Sequence, residues 1–257
     1  MDGPSGVLAL VLAETAAGGS AVLWLTGLWG NVKRGFFILT GSIVFACALL
    51  AAVIVSTMAA DARADLVGIL LGASAGLIGL SFVALVFRWN AGGSIAGTLA
   101  VPVTLASLVA FARLGESALP VSLLQLLAGA AFMGAVVDGL LLGHWYLVDR
   151  RLPRDHIRRL TLLLIGTVVA EALAVSLSFF GPKGAPRGDF NPLLSISDLD
   201  TWLALGMVAA TGLVAALIQA SLRSDRARAV QAATGFFYLA VILAFTAETA
   251  AKIRFIG

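Results

Sequence analysis

The sequence predicts an all-α integral membrane protein of about eight transmembrane helices, arranged as two tandem four-helix units. Three observations predict it. Only 12% of the 257 residues are charged and 60% are hydrophobic; a soluble globular domain carries about 25% charged residues, so this chain cannot cover a water-facing surface. Its mean hydropathy is +1.01. The apolar residues also fall into eight runs, each near the roughly 20 residues that cross a bilayer core of about 30 Å. Eight such spans and their short loops account for the whole length, which leaves no separate soluble domain.

The first run, 7–29, follows a start that has no Lys or Arg. It lacks the basic region of a secretory signal and reads as a retained helix. The next runs are 36–59, 66–87, 94–112, 121–148, 160–180, 199–222 and 231–250. With no water at depth, each must satisfy its own backbone groups, which means helix. The short alternation of barrel strands is missing. The only mid-span proline is Pro102, in the fourth run. Gly68, Gly72 and Gly76 on the third run and Gly139 and Gly143 on the fifth repeat every four residues. Such small-residue stripes are expected to bring helices into close contact.

The net charge is +3 and the pI about 9.5, but the basic residues lie in short loops, so topology explains them and nucleic acid is not an expected partner. Loops 31–35, 88–93, 149–159 and 222–230 hold eleven of the seventeen Lys and Arg, among them the cluster from Arg150 to Arg159. By the positive-inside rule these odd-numbered loops face the cytoplasm and both termini face outward. The expected location is the plasma (inner) membrane, with the lipid bilayer as partner. The long loop 181–198, with Pro182, Pro186 and Pro192, reads as a linker; docking a partner or capping a cavity is its alternative.

The two halves resemble each other. Glu14, Gly19, Arg34 and Gly41 match Asp138, Gly143, Arg159 and Gly166 at offsets of 124 or 125, and Asp65 and Arg88 match Asp200 and Arg223 at 135. Gly97 matches Gly235 at 138. Four spans return the chain to its starting side, so the units 1–120 and 121–257 share one orientation. Repeats of that kind relate by an axis along the membrane normal.

The chemistry, if any, lies in ionisable residues inside the runs: Glu14, Asp138, His144, Glu171 and Glu248. A charge at the bilayer centre costs at least about 2.5–3.5 kcal/mol, so such residues face the bundle interior and mark proton or ion pathways. At 1.5 Å per residue, Glu14 lies about 10 Å inside its helix, Glu171 near mid-helix, and Asp138 past the middle with His144 beyond it. These depths suggest a ladder of protonatable groups that pass protons or hydrogen-bond a quinone. Thr167 and Ser178 share the Glu171 face, which makes Glu171 the foremost candidate. Gly18 and Gly134, one turn from Glu14 and Asp138, are expected to leave space beside those carboxyls. Glu248 precedes Lys252 by four residues, so an interfacial ion pair is its preferred reading. His144 reads equally as an aromatic-belt anchor beside Trp145 and Tyr146.

Several chemistries lack their residues. Cys47 is the only cysteine, so one chain holds no disulfide or thiolate metal site. His144 and His156 are the only histidines; haem is therefore unlikely, a His/Met site using Met58, Met133 or Met207 being its one route. No zinc or di-iron spacing is present, and no phosphate-binding or hydrolase motif stands in proper context.

The segment Leu12-Ala13-Glu14-Thr15-Ala16-Ala17-Gly18-Gly19-Ser20, with eight helices in two bundles and outward termini, resembles the membrane subunits of the polysulfide and dimethyl sulfoxide reductase type (NrfD-like). The resemblance implies a redox-complex subunit that binds quinol between helices, passes electrons to an iron–sulfur partner and holds no cofactor of its own. Glu14, Asp138 and Glu171 would then accept protons or hydrogen bonds, with His144 on the inner side. A small proton-coupled transporter is the second reading; Pro102 has no counterpart in the eighth run, which weakens it. A membrane scaffold or assembly protein is the third. None of these assigns a reaction to the chain alone.

Overall fold

The computed structural model describes residues 3–58, 62–114, 118–149, 151–180, 198–224 and 228–253. The regular elements among them are eight long α-helices and one short 3-10 turn: α1 (Pro4–Leu28), α2 (Arg34–Met58), α3 (Ala62–Val86), α4 (Asn90–Ala112), α5 (Leu119–Val148), α6 (Asp155–Ser176), the turn Leu177–Phe180, α7 (Leu199–Leu222) and α8 (Ala229–Ile253). All eight helices are long and apolar enough to cross a membrane. Most of loop 181–198, with its three prolines, lies outside the described residues.

Each starting point suits a helix. Pro4 and Pro120 occupy first-turn positions of α1 and α5, where the missing N–H would be unpaired anyway. Gly3, before α1, sits at φ 86°, which costs a residue without Cβ little. Pro102 stays inside an unbroken α4; no helix break forms there.

The first four helices close a ring, α1 on α2, α2 on α3, α3 on α4 and α4 on α1, and α5 to α8 close a second ring in the same order. The rings join along α1 and α5. These two helices are interior: 89% of the α1 span and 83% of the α5 span are buried, against 33–50% for the other six. The outer helices turn residues such as Leu50, Ile69, Leu99, Leu213 and Ile242 outward, as a lipid-facing belt requires.

Glycine explains the central contact. A Cβ on Gly18 would land on the Ala130 carbonyl, and one on Gly134 would land on the Gly18 main chain. The two backbones therefore touch at this crossing, in the small-residue manner expected in lipid. Gly18 and Gly134 do not open space beside the carboxyls, as the sequence suggested; they remove it. Gly139 and Gly143 do pack closely, against Phe237 and Thr234 of α8. The α3 stripe does not: a Cβ on Gly72 or Gly76 would meet nothing within 4 Å. Spacing alone did not distinguish a packed stripe from an open one.

One face carries the ends of α1 and α8 that lie nearest the termini (the terminal face). The opposite, basic face is held together by contacts among the odd-numbered connections. Lys33 Nζ lies 2.9 Å from Asp149 Oδ2, and His156 Nε2 lies 2.8 Å from the Gly30 carbonyl oxygen. Arg158 donates to the Leu222 carbonyl at 3.0 Å and Arg154 to the Ser224 carbonyl at 3.2 Å. These guanidinium groups sit at the C-terminus of α7, where free carbonyls and the helix dipole favour a cation. The basic cluster is thus also a clamp between α6 and α7.

Candidate functional site

Four ionisable side chains from three helices meet in the half of the protein toward the terminal face. Lys252 Nζ of α8 lies 2.9 Å from Glu14 Oε1 of α1 and 3.2 Å from Glu248 Oε2, one turn earlier on α8. Its third proton goes to the Gln125 carbonyl of α5 at 3.2 Å. An ammonium has three donors, so all are used. Glu14 and Glu248 are 0% exposed, Glu171 of α6 1% and Lys252 2%. Glu171 lies close enough to Glu248, Lys252 and Glu14 for their charges to act on one another.

The surrounding residues make room for the cluster. A Cβ on Gly129 of α5 would stand 2.8 Å from Glu14 Oε1 and 2.7 Å from Glu248 Oε2; hydrogen there is what lets two carboxyls approach α5. Gln125 Nε2 donates to Ser178 Oγ at 2.9 Å and to the Ala174 carbonyl at 3.3 Å. That tie fixes the end of α6, which carries Glu171, against α5.

Charge dominates this site. Apart from the ammonium contacts, the carboxylate oxygens of Glu14 and Glu248 accept no hydrogen bond among the described residues, nor does Glu171 Oε2. Among the described residues, the fully ionised cluster of three carboxylates and one ammonium carries two surplus negative charges. Burying unpaired charge in a low-dielectric interior is expensive, and two protons would restore neutrality. The arrangement can therefore bind and release protons. Among the described residues, no group of three His, Cys, Asp or Glu has metal-holding geometry.

The sequence candidates separate. Glu14 and Glu171 come together. Asp138 does not join them: it is 0% exposed and neither oxygen accepts a hydrogen bond among the described residues. The α5 residue beside Glu14 is Gly129, nine positions before Asp138 and thus about 13 Å away along the axis. An axis along the membrane normal keeps equivalent residues at equal depth, which the pairing of Glu14 with Gly129 does not match; the unequal depths of Glu14 and Asp138 are those their helix positions predict, and Asp138 stands apart from the cluster. His144 is elsewhere again. Its Nε2 lies 2.5 Å from Tyr238 Oη and its Nδ1 lies 3.1 Å from the Leu140 carbonyl oxygen.

Lys252, Gln125 and Gly129 were not expected at the site, and Glu248 was read foremost as one half of an interfacial pair. The i,i+4 pair of Glu248 and Lys252 forms as the spacing predicts, but it is buried against α1 and α5 rather than interfacial. The sequence signal was the position itself: a Glu and a Lys four apart at the end of an apolar helix point inward as readily as outward.

Comparison with family models, curated proteins and solved structures returns no match to this chain.

Proposed function

We propose that this integral membrane protein is the proton-handling membrane subunit of a redox complex, with Glu14, Glu171 and Glu248 around Lys252 as its proton-accepting site. The observation that carries the reading is the imbalance of three buried carboxyls against one ammonium. Oxidation of a quinol to a quinone releases two protons and two electrons. The surplus charge of the cluster corresponds to those two protons, and the electrons would leave to an iron–sulfur partner. Lys252 holds the site anionic enough to attract protons yet compensated enough to exist in the membrane. With the positive-inside assignment, the cluster lies toward the outer face of a plasma (inner) membrane.

Quenching of the five tryptophans by a quinone analogue, in purified detergent-solubilised protein, tests the redox part. Wild type is expected to quench saturably at micromolar concentration. Glu14→Gln and Glu171→Gln are expected to weaken binding at least tenfold, about 1.4 kcal/mol. Absence of saturable quenching in folded wild type overturns quinone binding. A proton-coupled transporter is then the surviving use of the same carboxyls, and substrate-driven proton uptake in proteoliposomes is its assay.

A further inference from the structure

Asp138 is a buried acid that the cluster leaves unused. It sits on α5 toward the basic face, beyond the Gly18–Gly134 crossing. It is fully buried, and neither of its oxygens has a hydrogen-bond partner among the described residues. The charged residues of the helices around it stand elsewhere. Glu14, Glu171, Glu248 and Lys252 form the cluster, while Arg34, Arg158 and Arg159 lie at the basic-face ends of α2 and α6. A carboxyl without hydrogen-bond partners in such a place calls for an explanation.

A crevice adjoins it. Ser20 and Trp24 of α1, Phe37, Gly41 and Val44 of α2 and Ser81 of α3 line a narrow opening inside the first ring. Val44 and Asp138 both flank Gly19: a Cβ there would lie 2.8 Å from Val44 Cγ2 and 3.7 Å from Asp138 Oδ2. Ser20 Oγ, 2% exposed, lines the crevice with no hydrogen-bond partner among the described residues, and Thr40 Oγ1, 0% exposed and one position before Gly41 in sequence, has none among them either. A Cβ on Gly41 would meet nothing within 4 Å, so open space continues beside it. The crevice is of the order of one water in size, and Ser20 Oγ offers such a water an unsatisfied hydrogen-bonding group.

We infer that Asp138 is a second proton-exchange site, reached by water through the crevice between α1, α2, α3 and α4 and insulated from the Glu14 cluster by the Gly18–Gly134 crossing. In the exchange, a hydronium in the crevice transfers its proton to a carboxylate oxygen of Asp138, leaving neutral water; release runs the same step backward. The inference stands whether or not the cluster serves a quinol. It divides proton traffic between two half-paths, one from each face, that stop on opposite sides of a backbone contact too tight for water.

Infrared spectroscopy of the full chain in lipid tests it. The C=O stretch of a protonated carboxyl shifts when H₂O is exchanged for D₂O, and its rate reports access. Asp138→Asn is expected to remove one carboxyl band, and Glu14→Gln to leave that band in place. Gly41→Leu, which fills open space without a main-chain clash, is expected to slow deuterium exchange of the Asp138 band at least tenfold while leaving the cluster bands unchanged. Exchange at the wild-type rate in Gly41→Leu overturns the inference, as does an Asp138→Asn spectrum with no band missing. If Asp138→Asn does not fold, the Gly41→Leu kinetics still decide, because they read the native carboxyl.

Discussion

Toward the terminal face, Glu14 of α1 lies 2.9 Å from an ammonium in a four-residue cluster. Toward the basic face, Asp138 of α5 is equally buried, with no ion or hydrogen-bond partner among the described residues. Both acids sit on the two interior helices, one on each side of the glycine crossing. Burial is the same, so compensation is what differs. A compensated cluster contributes to holding α1, α5, α6 and α8 together, and removing one member exposes charge. A lone acid contributes nothing to packing and persists against its own cost. In membrane interiors such ionisable groups are candidates for function by default, because stability commonly yields to function where a site needs it.

The largest expected effect is on the compensated side. Lys252→Met leaves three carboxyls without their ammonium and should lower unfolding stability by about 3–5 kcal/mol, the usual cost of breaking a buried pair from one side. Adding Glu14→Gln to that variant should recover part of the loss. Thermal unfolding in detergent measures both.

The barrier between the two regions comes next. Gly134→Ala drives a methyl into the Gly18 main chain, and main chain does not rotate aside as a side chain does. About 3 kcal/mol of destabilisation is expected, the upper range for overpacking. Gly72→Ala on the outward-facing α3 stripe should be near neutral in the same assay. Equal losses at both positions would show that the α1–α5 crossing is not the close contact described.

The lone acid should show the opposite sign. Asp138→Leu replaces an unsatisfied buried carboxyl by an apolar group and is expected to raise stability by about 1 kcal/mol, the lower end of the penalty for such groups. Glu14→Leu should lower it. A loss at both positions would erase the contrast between the two regions.

The smallest effect lies at the basic face. The Lys33 ammonium hydrogen-bonded to Asp149 holds that carboxyl below the usual range. A depressed folded value means that the contribution is present above the unfolded value of about 3.9 and is lost as pH falls through the lower folded one. Lys33 is 66% exposed, so solvent screens the pair. An acid titration of melting temperature should show a shallow step below about pH 4 that disappears in Asp149→Asn.

Much of the fold was legible in the sequence because hydrocarbon leaves a long apolar run no choice but helix. The Glu248–Lys252 pairing was legible too, since i,i+4 neighbours on a helix meet regardless of what surrounds them. Their burial was not, because depth along one helix says nothing about which helices stand beside it. The same gap let Asp138 be grouped with Glu14, when Gly129 is the residue at its level. Gly18 and Gly134 illustrate it from the other side: an open notch and a backbone contact read identically as one Gly, and only the partner helix distinguishes them.

The division into a compensated cluster and an isolated acid is tested most directly by double-mutant cycles on unfolding free energy. Lys252→Met is combined in turn with Glu14→Gln and with Asp138→Asn. Residues in one ion-pair network couple by about 0.5–3 kcal/mol, and distant residues add within about 0.3–0.5 kcal/mol. Coupling of at least about 1 kcal/mol is expected for Glu14 with Lys252, and additivity for Asp138 with Lys252. Additive Glu14 and Lys252, or an Asp138 that couples as strongly as Glu14, would contradict it.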